Sequence, residues 1–256
     1  MTSSLSPGLV SSAVERGLAQ YGFTRYESGR NWWYLCPQLV GHCGLLAQCL
    51  NVQVADGRTQ GNRQSAIALE VEGLPRMYMR HNRRGGWLRW LVADLYAGIQ
   101  PRPLNELLVT LRARQRGIAV AEPLGAAVEW IAPGLYRGWF ITRALTGMTL
   151  LEYLSGQDEA ALRRAALERT RNTIEHMHAQ GLFHADLNLH NLMLVTDKVS
   201  LRVVVIDLDK ARLYDQPLGA HLRHANWRRL WRSAGKLAAR AHLTPEEFGL
   251  LRPRSG

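Results

Sequence analysis

Apolar and polar positions change period several times along this chain, dividing it into an early strand-rich part and a later helix-rich part. Gly8 to Tyr21 has helical spacing and leads into Asn31-Trp32-Trp33-Tyr34, which reads as an aromatic turn. Alternation then takes over. Ser65 to Val71 and Arg76 to Arg80 are two strand-like runs separated by Glu72-Gly73-Leu74-Pro75, a pattern that predicts a hairpin. A basic loop, His81 to Gly86, opens into Trp87 to Tyr96, where helical spacing returns. Pro103 suits the first turn of a helix that carries Glu106. Leu104, Leu107, Leu108 and Leu111 share one face of that helix, and Gly117 stops it. Trp139 to Thr142 predicts a strand, Leu150 to Leu154 begins a helical region, and Glu159 to Gln180 predicts a long helix stopped by Gly181. His221 to Ala241 predicts a basic helix with Trp227, Leu230, Trp231 and Leu237 on its apolar stripe. The order predicts an α+β chain in two lobes, and a cleft between lobes is a natural nucleotide site.

The 256 residues are enough for one two-lobed domain or two small ones. No apolar run approaches the ~18 residues of a membrane span. Met1 to Pro7 lacks the basic and apolar regions of a secretory signal, so a cytoplasmic protein is expected. The net charge of +11 is carried almost wholly by Arg, the lysines being Lys198, Lys210 and Lys236. Such a surface favours nucleotide phosphates, nucleic acid or anionic lipid, and codon composition alone also produces an Arg bias. The charge suits a phosphorylated lipid substrate without selecting one. Cys36, Cys43 and Cys49 lie near His42 but lack the spacing of a metal knuckle, so reduced thiols in an N-terminal extension are expected.

Candidate chemistry concentrates in His184-Ala185-Asp186-Leu187-Asn188-Leu189-His190-Asn191 and the β-branched run Leu201 to Ile206 that ends on Asp207. The spacing H-x-D-x-x-x-x-N, followed by a strand ending in Asp, is what phosphoryl transfer requires. Asp186 is the candidate base, placed to orient an attacking hydroxyl. Asn191 and Asp207 offer a neutral and a charged oxygen to Mg²⁺. His184 reads as a structural residue of the loop. Asp209 either assists the metal or pairs with Lys210 or Arg212. No lysine precedes Lys198, so the phosphate-binding lysine of kinases has no counterpart on an early strand. Arg80, at the end of the second hairpin strand, is the candidate substitute, because a guanidinium forks onto phosphate oxygens or onto Glu106. The alternative for Arg80 is an exposed strand-end cation. Gly57 to Gly61 is a weak glycine loop. Only 49 residues follow Asp207, without an Ala-Pro-Glu motif, which points to a small or lipid-linked acceptor rather than a peptide.

These segments resemble the 3-deoxy-D-manno-octulosonic acid (Kdo) kinases, grouped with lipopolysaccharide core heptose kinases in the protein-kinase-like superfamily. The similarity rests on Phe183 to Asn191, Val205 to Lys210, Arg80-His81-Asn82-Arg83-Arg84-Gly85-Gly86 and Asn226 to Ser233. It implies a two-lobed protein-kinase-like fold with a small β-rich N-lobe (51–143), a shortened helical C-lobe (144–256) and an N-terminal extension (1–50) packed on or near the N-lobe. It also implies ATP- and Mg²⁺-dependent phosphorylation of the 4-hydroxyl of Kdo on a Kdo-lipid A precursor. Asp186 would be the base, Asn191 and Asp207 the metal ligands, Arg80 the lysine equivalent and Glu106 its helix partner. The expected location is the cytoplasm, peripherally on the cytoplasmic face of the inner membrane, with neither nucleic acid nor a protein substrate as partner. The Arg83 to Trp87 loop would then meet acceptor and bilayer. The sequence departs from the family in Asn62-Arg63-Gln64, in Asp207-Leu208-Asp209, and in Arg143 where an acidic hinge residue is expected. A heptose kinase, an antibiotic-phosphorylating kinase and a non-catalytic pseudokinase are the competing readings.

Overall fold

The computed structural model describes residues 10–56, 66–82, 95–98, 100–196 and 201–253. The chain divides into two compact units, residues 1–108 with 122–144, and residues 109–121 with 145–256.

The first unit is built on an antiparallel sheet. Helix α1 (Ser12–Gln20) leads into strands β1 (Thr24–Ser28) and β2 (Asn31–Leu35), and a 3₁₀ turn (Pro37–His42) leads into α2 (Cys43–Asp56). Strands β3 (Ala66–Leu69) and β4 (Met77–His81) form the expected hairpin, and the short β5 (Tyr96–Ala97) precedes α3 (Arg102–Gln115). Strands β6 (Pro123–Ala132) and β7 (Leu135–Arg143) complete the sheet in the order β1-β2-β6-β7-β4-β3, with β5 on β7.

Two expectations change here. The aromatic segment Asn31 to Tyr34 is not a turn but an interior strand, paired with β1 on one side and β6 on the other. Its residues Trp32, Trp33 and Tyr34 are all buried. Tyr96 belongs to a strand rather than to the end of a helix. Strand β6 was not among the expected elements; it is a sequence of small and apolar residues with little alternation, and most of its residues are buried.

Gly138 explains how α3 reaches the sheet. A Cβ there would lie 2.6 Å from Cγ of Pro103, so only a hydrogen lets the helix approach β7 this closely. Helix α1 packs in the same unit, with Gly17 against Leu108 and with Glu15 accepting hydrogen bonds from Tyr34 (2.8 Å) and Arg25 (2.6 Å).

The second unit is mostly helical. Strand β8 (Gly147–Thr149) runs into α4 (Leu150–Gly156), whose start is closed by a reciprocal Thr149–Glu152 capping box. Helix α5 (Ala160–Ala179) ends at Gly181, which has φ +81°. A Cβ at Gly181 would lie 2.3 Å from the Tyr214 carbonyl oxygen, so glycine is required twice over. Beyond it come β9 (Leu182–Phe183), β10 (Leu192–Thr196), β11 (Leu201–Val205), β12 (Arg212–Leu213), α6 (Ala220–Ala241) and α7 (Pro245–Leu250). Strands β11, β10 and β8 form one small sheet, and β12 pairs with β9. Leu151, Leu167, Ile174, Leu189, Leu194 and Val205 belong to the core that supports these strands. Contrary to the expected apolar stripe, Trp231 of α6 is 38% exposed while Trp227 and Leu230 are buried.

Candidate active site

In the first unit β4 and α3 bring two of the candidate residues together. Arg80 stands opposite Phe140 in the ladder, on the same face of β7 as Gly138. That is the face on which Pro103 sits, and Glu106 follows Pro103 by three residues on the same side of α3. The Arg80 guanidinium donates to Glu106 Oε1 at 2.5 Å. Glu106 is buried and its side chain is fully enclosed, whereas that of Arg80 keeps 26% of its surface. A carboxylate so enclosed needs its cation, and the cation stays accessible to an anion.

In the second unit the loop between β9 and β10 holds Asp186 and Asn191, and Asp207 follows β11. Gly181 turns the chain from α5 straight into β9, so the loop starts on a rigid base. The backbone carbonyl of Asp186 accepts from Asn188 Nδ2 (2.9 Å) and from Asn191 Nδ2 (2.8 Å). These bonds curl the loop and leave the Asp186 carboxylate exposed, with no hydrogen-bond partner among the described residues. Asn191 is buried and spends its amide nitrogen on that carbonyl, which turns its oxygen toward other partners. Its backbone carbonyl accepts from Ile206 N at 3.0 Å, and Leu192 pairs with Val205. The ladder thus sets Asn191 beside the end of β11, where Asp207 follows. Asp207 has φ 62°, in the left-handed region that a non-glycine residue seldom occupies. Such strain collects at functional positions.

His184 ties the two acidic residues together. Its Nδ1 accepts from Asp186 N at 3.1 Å, so the proton sits on Nε2, which donates to the Ile206 carbonyl at 3.0 Å. Burial pushes its pKa below the usual histidine range, against the pull of the Ile206 carbonyl and the nearby carboxylates. A neutral imidazole with both nitrogens engaged is a brace and not a proton carrier.

Asn226 of α6 opens the Asn226 to Ser233 segment of the resemblance, but the motif reading gave it no role. Fully buried, it donates from Nδ2 to the His184 carbonyl (2.5 Å) and accepts at Oδ1 from His184 N (3.2 Å). The same Oδ1 accepts from Nε2 of His178, at 3.1 Å, near the end of α5. One carboxamide therefore holds the loop to two helices. The signal in the sequence was its place at the head of the Asn226 to Ser233 segment, beside Trp227 and Leu230 of the apolar stripe.

A family description, lipopolysaccharide kinase (Kdo/WaaP) family, matches residues 54–248. The chain belongs to this family. The 3-deoxy-D-manno-octulosonic acid kinase of Actinobacillus succinogenes (strain ATCC 55618 / DSM 22257 / CCUG 43843 / 130Z) is 32% identical over 171 residues, covering 63% of this chain and 67% of its own length. The kinase of the same description from Vibrio parahaemolyticus serotype O3:K6 (strain RIMD 2210633) is 30% identical over 184 residues, covering 68% and 71%. That from Pasteurella multocida (strain Pm70) is 28% identical over 166 residues, covering 63% and 67%. Among solved structures, WaaP in complex with acyl carrier protein superposes with a TM-score of 0.51 at 19% identity, over 76% of this chain and 75% of WaaP.

The residues of this lipopolysaccharide kinase family member suit a magnesium ion. Among the described residues no group of three or more His, Cys, Asp or Glu side chains gathers around a cation position. The pair Asn191 and Asp207 offers one amide and one carboxylate oxygen, the small protein share that Mg²⁺ takes when phosphate and water complete its shell. Arg143, at the position where an acidic hinge residue was expected, pairs with Glu122 at 2.5 Å. Gly57 to Gly61, Asn62-Arg63-Gln64 and the Arg83 to Trp87 loop lie outside the described residues. Cys36, Cys43 and Cys49 are free thiols, and no helix among the described residues is long and apolar enough to cross a membrane.

Proposed function

We propose that this kinase transfers the γ-phosphoryl group of ATP to the 4-hydroxyl of a Kdo residue on a Kdo-lipid A precursor, working peripherally at the cytoplasmic face of the inner membrane. The two compact units are read as the lobes of a protein-kinase-like fold. The observation that supports this most is the braced loop from His184 to Asn191, with a free Asp186 carboxylate and with Asn191 set next to Asp207. The similarity to Kdo kinases supports the choice of acceptor.

Asp186 accepts a hydrogen bond from the acceptor hydroxyl, holds its oxygen in line with the phosphorus, and takes the proton as the new P–O bond forms. ADP departs from the opposite side. Arg80 forks onto phosphate oxygens while buried Glu106 keeps its guanidinium in place. Asn191 and Asp207 would hold Mg²⁺, which when bound neutralises phosphate charge.

Purified enzyme given ATP and either Kdo-lipid A precursor or a heptosylated acceptor tests the reading. Phosphate is expected on Kdo, located by NMR, and Asp186→Asn is expected to lower kcat by about 10²–10⁴-fold with nucleotide affinity little changed. Preferential phosphorylation of heptose would overturn the acceptor, and near-normal turnover by Asp186→Asn would overturn the base.

A further inference from the structure

Helix α6 carries a second feature, on the side facing away from Asn226. Its 22 residues include no Asp or Glu. Asn226, Trp227, Leu230 and Ala234 are buried, and Arg228, Arg232 and Lys236 are exposed on the opposite side, one turn apart, at a rise of ~6 Å each. None of the three forms an ion pair with a described residue. Trp231 lies at the edge of this row. Its ring meets Phe248 edge-on at 5.1 Å, and the Arg252 guanidinium covers one ring face at 5.1 Å, so the indole is held in place yet 38% exposed.

We infer that the Arg228–Arg232–Lys236 row with Trp231 and Arg252 is a docking surface for an anionic lipid bilayer. A straight line of uncompensated cations on one helix face matches a plane of lipid phosphates. An indole fixed beside them suits the headgroup layer, where its apolar body and its N–H are both satisfied. The covered ring face argues against single-stranded nucleic acid, which uses open aromatic faces for base stacking. The choice of a bilayer over a soluble polyanion rests on the lipid-linked acceptor proposed above, and the surface would hold the enzyme near such an acceptor.

The test measures co-sedimentation of the full chain with phosphatidylcholine vesicles and with phosphatidylcholine–phosphatidylglycerol vesicles, neither containing acceptor. Each cation near an anionic surface strengthens partition about fivefold. The variant R228Q/R232Q/K236Q is therefore expected to bind mixed vesicles about a hundredfold more weakly while keeping wild-type kcat on detergent-dispersed acceptor. Trp231 fluorescence, isolated by comparison with Trp231→Phe, should be quenched by brominated lipid in the mixed vesicles. Equal binding of wild type and variant, equal binding to both vesicle types, or salt-sensitive capture by heparin or DNA without vesicle binding would each overturn the inference. Because the vesicles contain no acceptor, a failure to dock is separable from a failure to phosphorylate Kdo.

Discussion

Replacing Asn226 with Ala removes the carboxamide that joins His178, the backbone of His184 and α6. Three hydrogen bonds disappear, each contributing about 1 kcal/mol net, and the His184 N–H and C=O are left behind in a site that excludes water. His184 is 1% exposed, so these groups have little access to solvent as a substitute partner. The combined loss is about 3–5 kcal/mol, which for a chain of this size lowers Tm by about 10 °C. The functional effect should exceed the loss of folded protein, because His184 braces Asp186 on one side and Ile206, next to Asp207, on the other. Displacing the proposed base by about 1 Å should lower kcat by about 10²-fold. The assay is calorimetry alongside steady-state kinetics at a temperature where the variant is still folded, with KM for ATP expected to stay near wild type. Asn226→Asp is the companion variant. It keeps an acceptor for His184 N and His178, sets an oxygen against the His184 carbonyl, and raises the His178 pKa. A Tm within about 2 °C and a kcat within about twofold of wild type for Asn226→Ala would refute the brace.

Further outcomes follow from other buried polar groups. Arg163 donates to both oxygens of Glu247 (2.6 and 2.9 Å) and to the Leu154, Gln157, Ala241 and His242 carbonyls, so Arg163→Met should destabilise by about 3–5 kcal/mol, read as a urea midpoint. Arg80→Lys keeps the charge but loses the fork, and should raise KM for ATP at least about tenfold with only a small fall in Tm. Desolvation lowers the His178 pKa from 6.5 to about 4. Its unfolded form takes a proton below about pH 6.5 while the folded form resists until about 4, so stability is full above that range and falls as pH drops through it, by at most about 3 kcal/mol. Thermal denaturation at steps from pH 7 to 4 should show this slope, and His178→Gln should flatten it.

Much of the second unit was legible because its signals are local. The long helix α5, the Gly181 stop, the loop octet and the β-branched run into Asp207 are properties of neighbouring residues, readable from period and spacing. Arg80 and Glu106 were also legible, as the cation ending a strand and the acid inside an apolar helical stripe. What escaped depended on partners far away in sequence. The Asn31 to Tyr34 segment is a strand because β6 lies beside it, nearly a hundred residues later, and three aromatic residues in a row carry no period to reveal that. Trp231 looked like core by its spacing, but the packing of Arg252 and Phe248 leaves it at the surface.

The chain by itself therefore determined which groups are available for chemistry: a carboxylate, an amide and a second carboxylate at set intervals, and an arginine proposed to stand in for the missing lysine. Tertiary structure decided how they are held. Asn226 reaches His184 across 42 positions, and Gly138 lets Pro103, and with it Glu106, close on the face that carries Arg80. Spacing encodes what one helix or loop can present, whereas a hydrogen bond between distant segments exists only after burial has removed the water that would otherwise satisfy both ends.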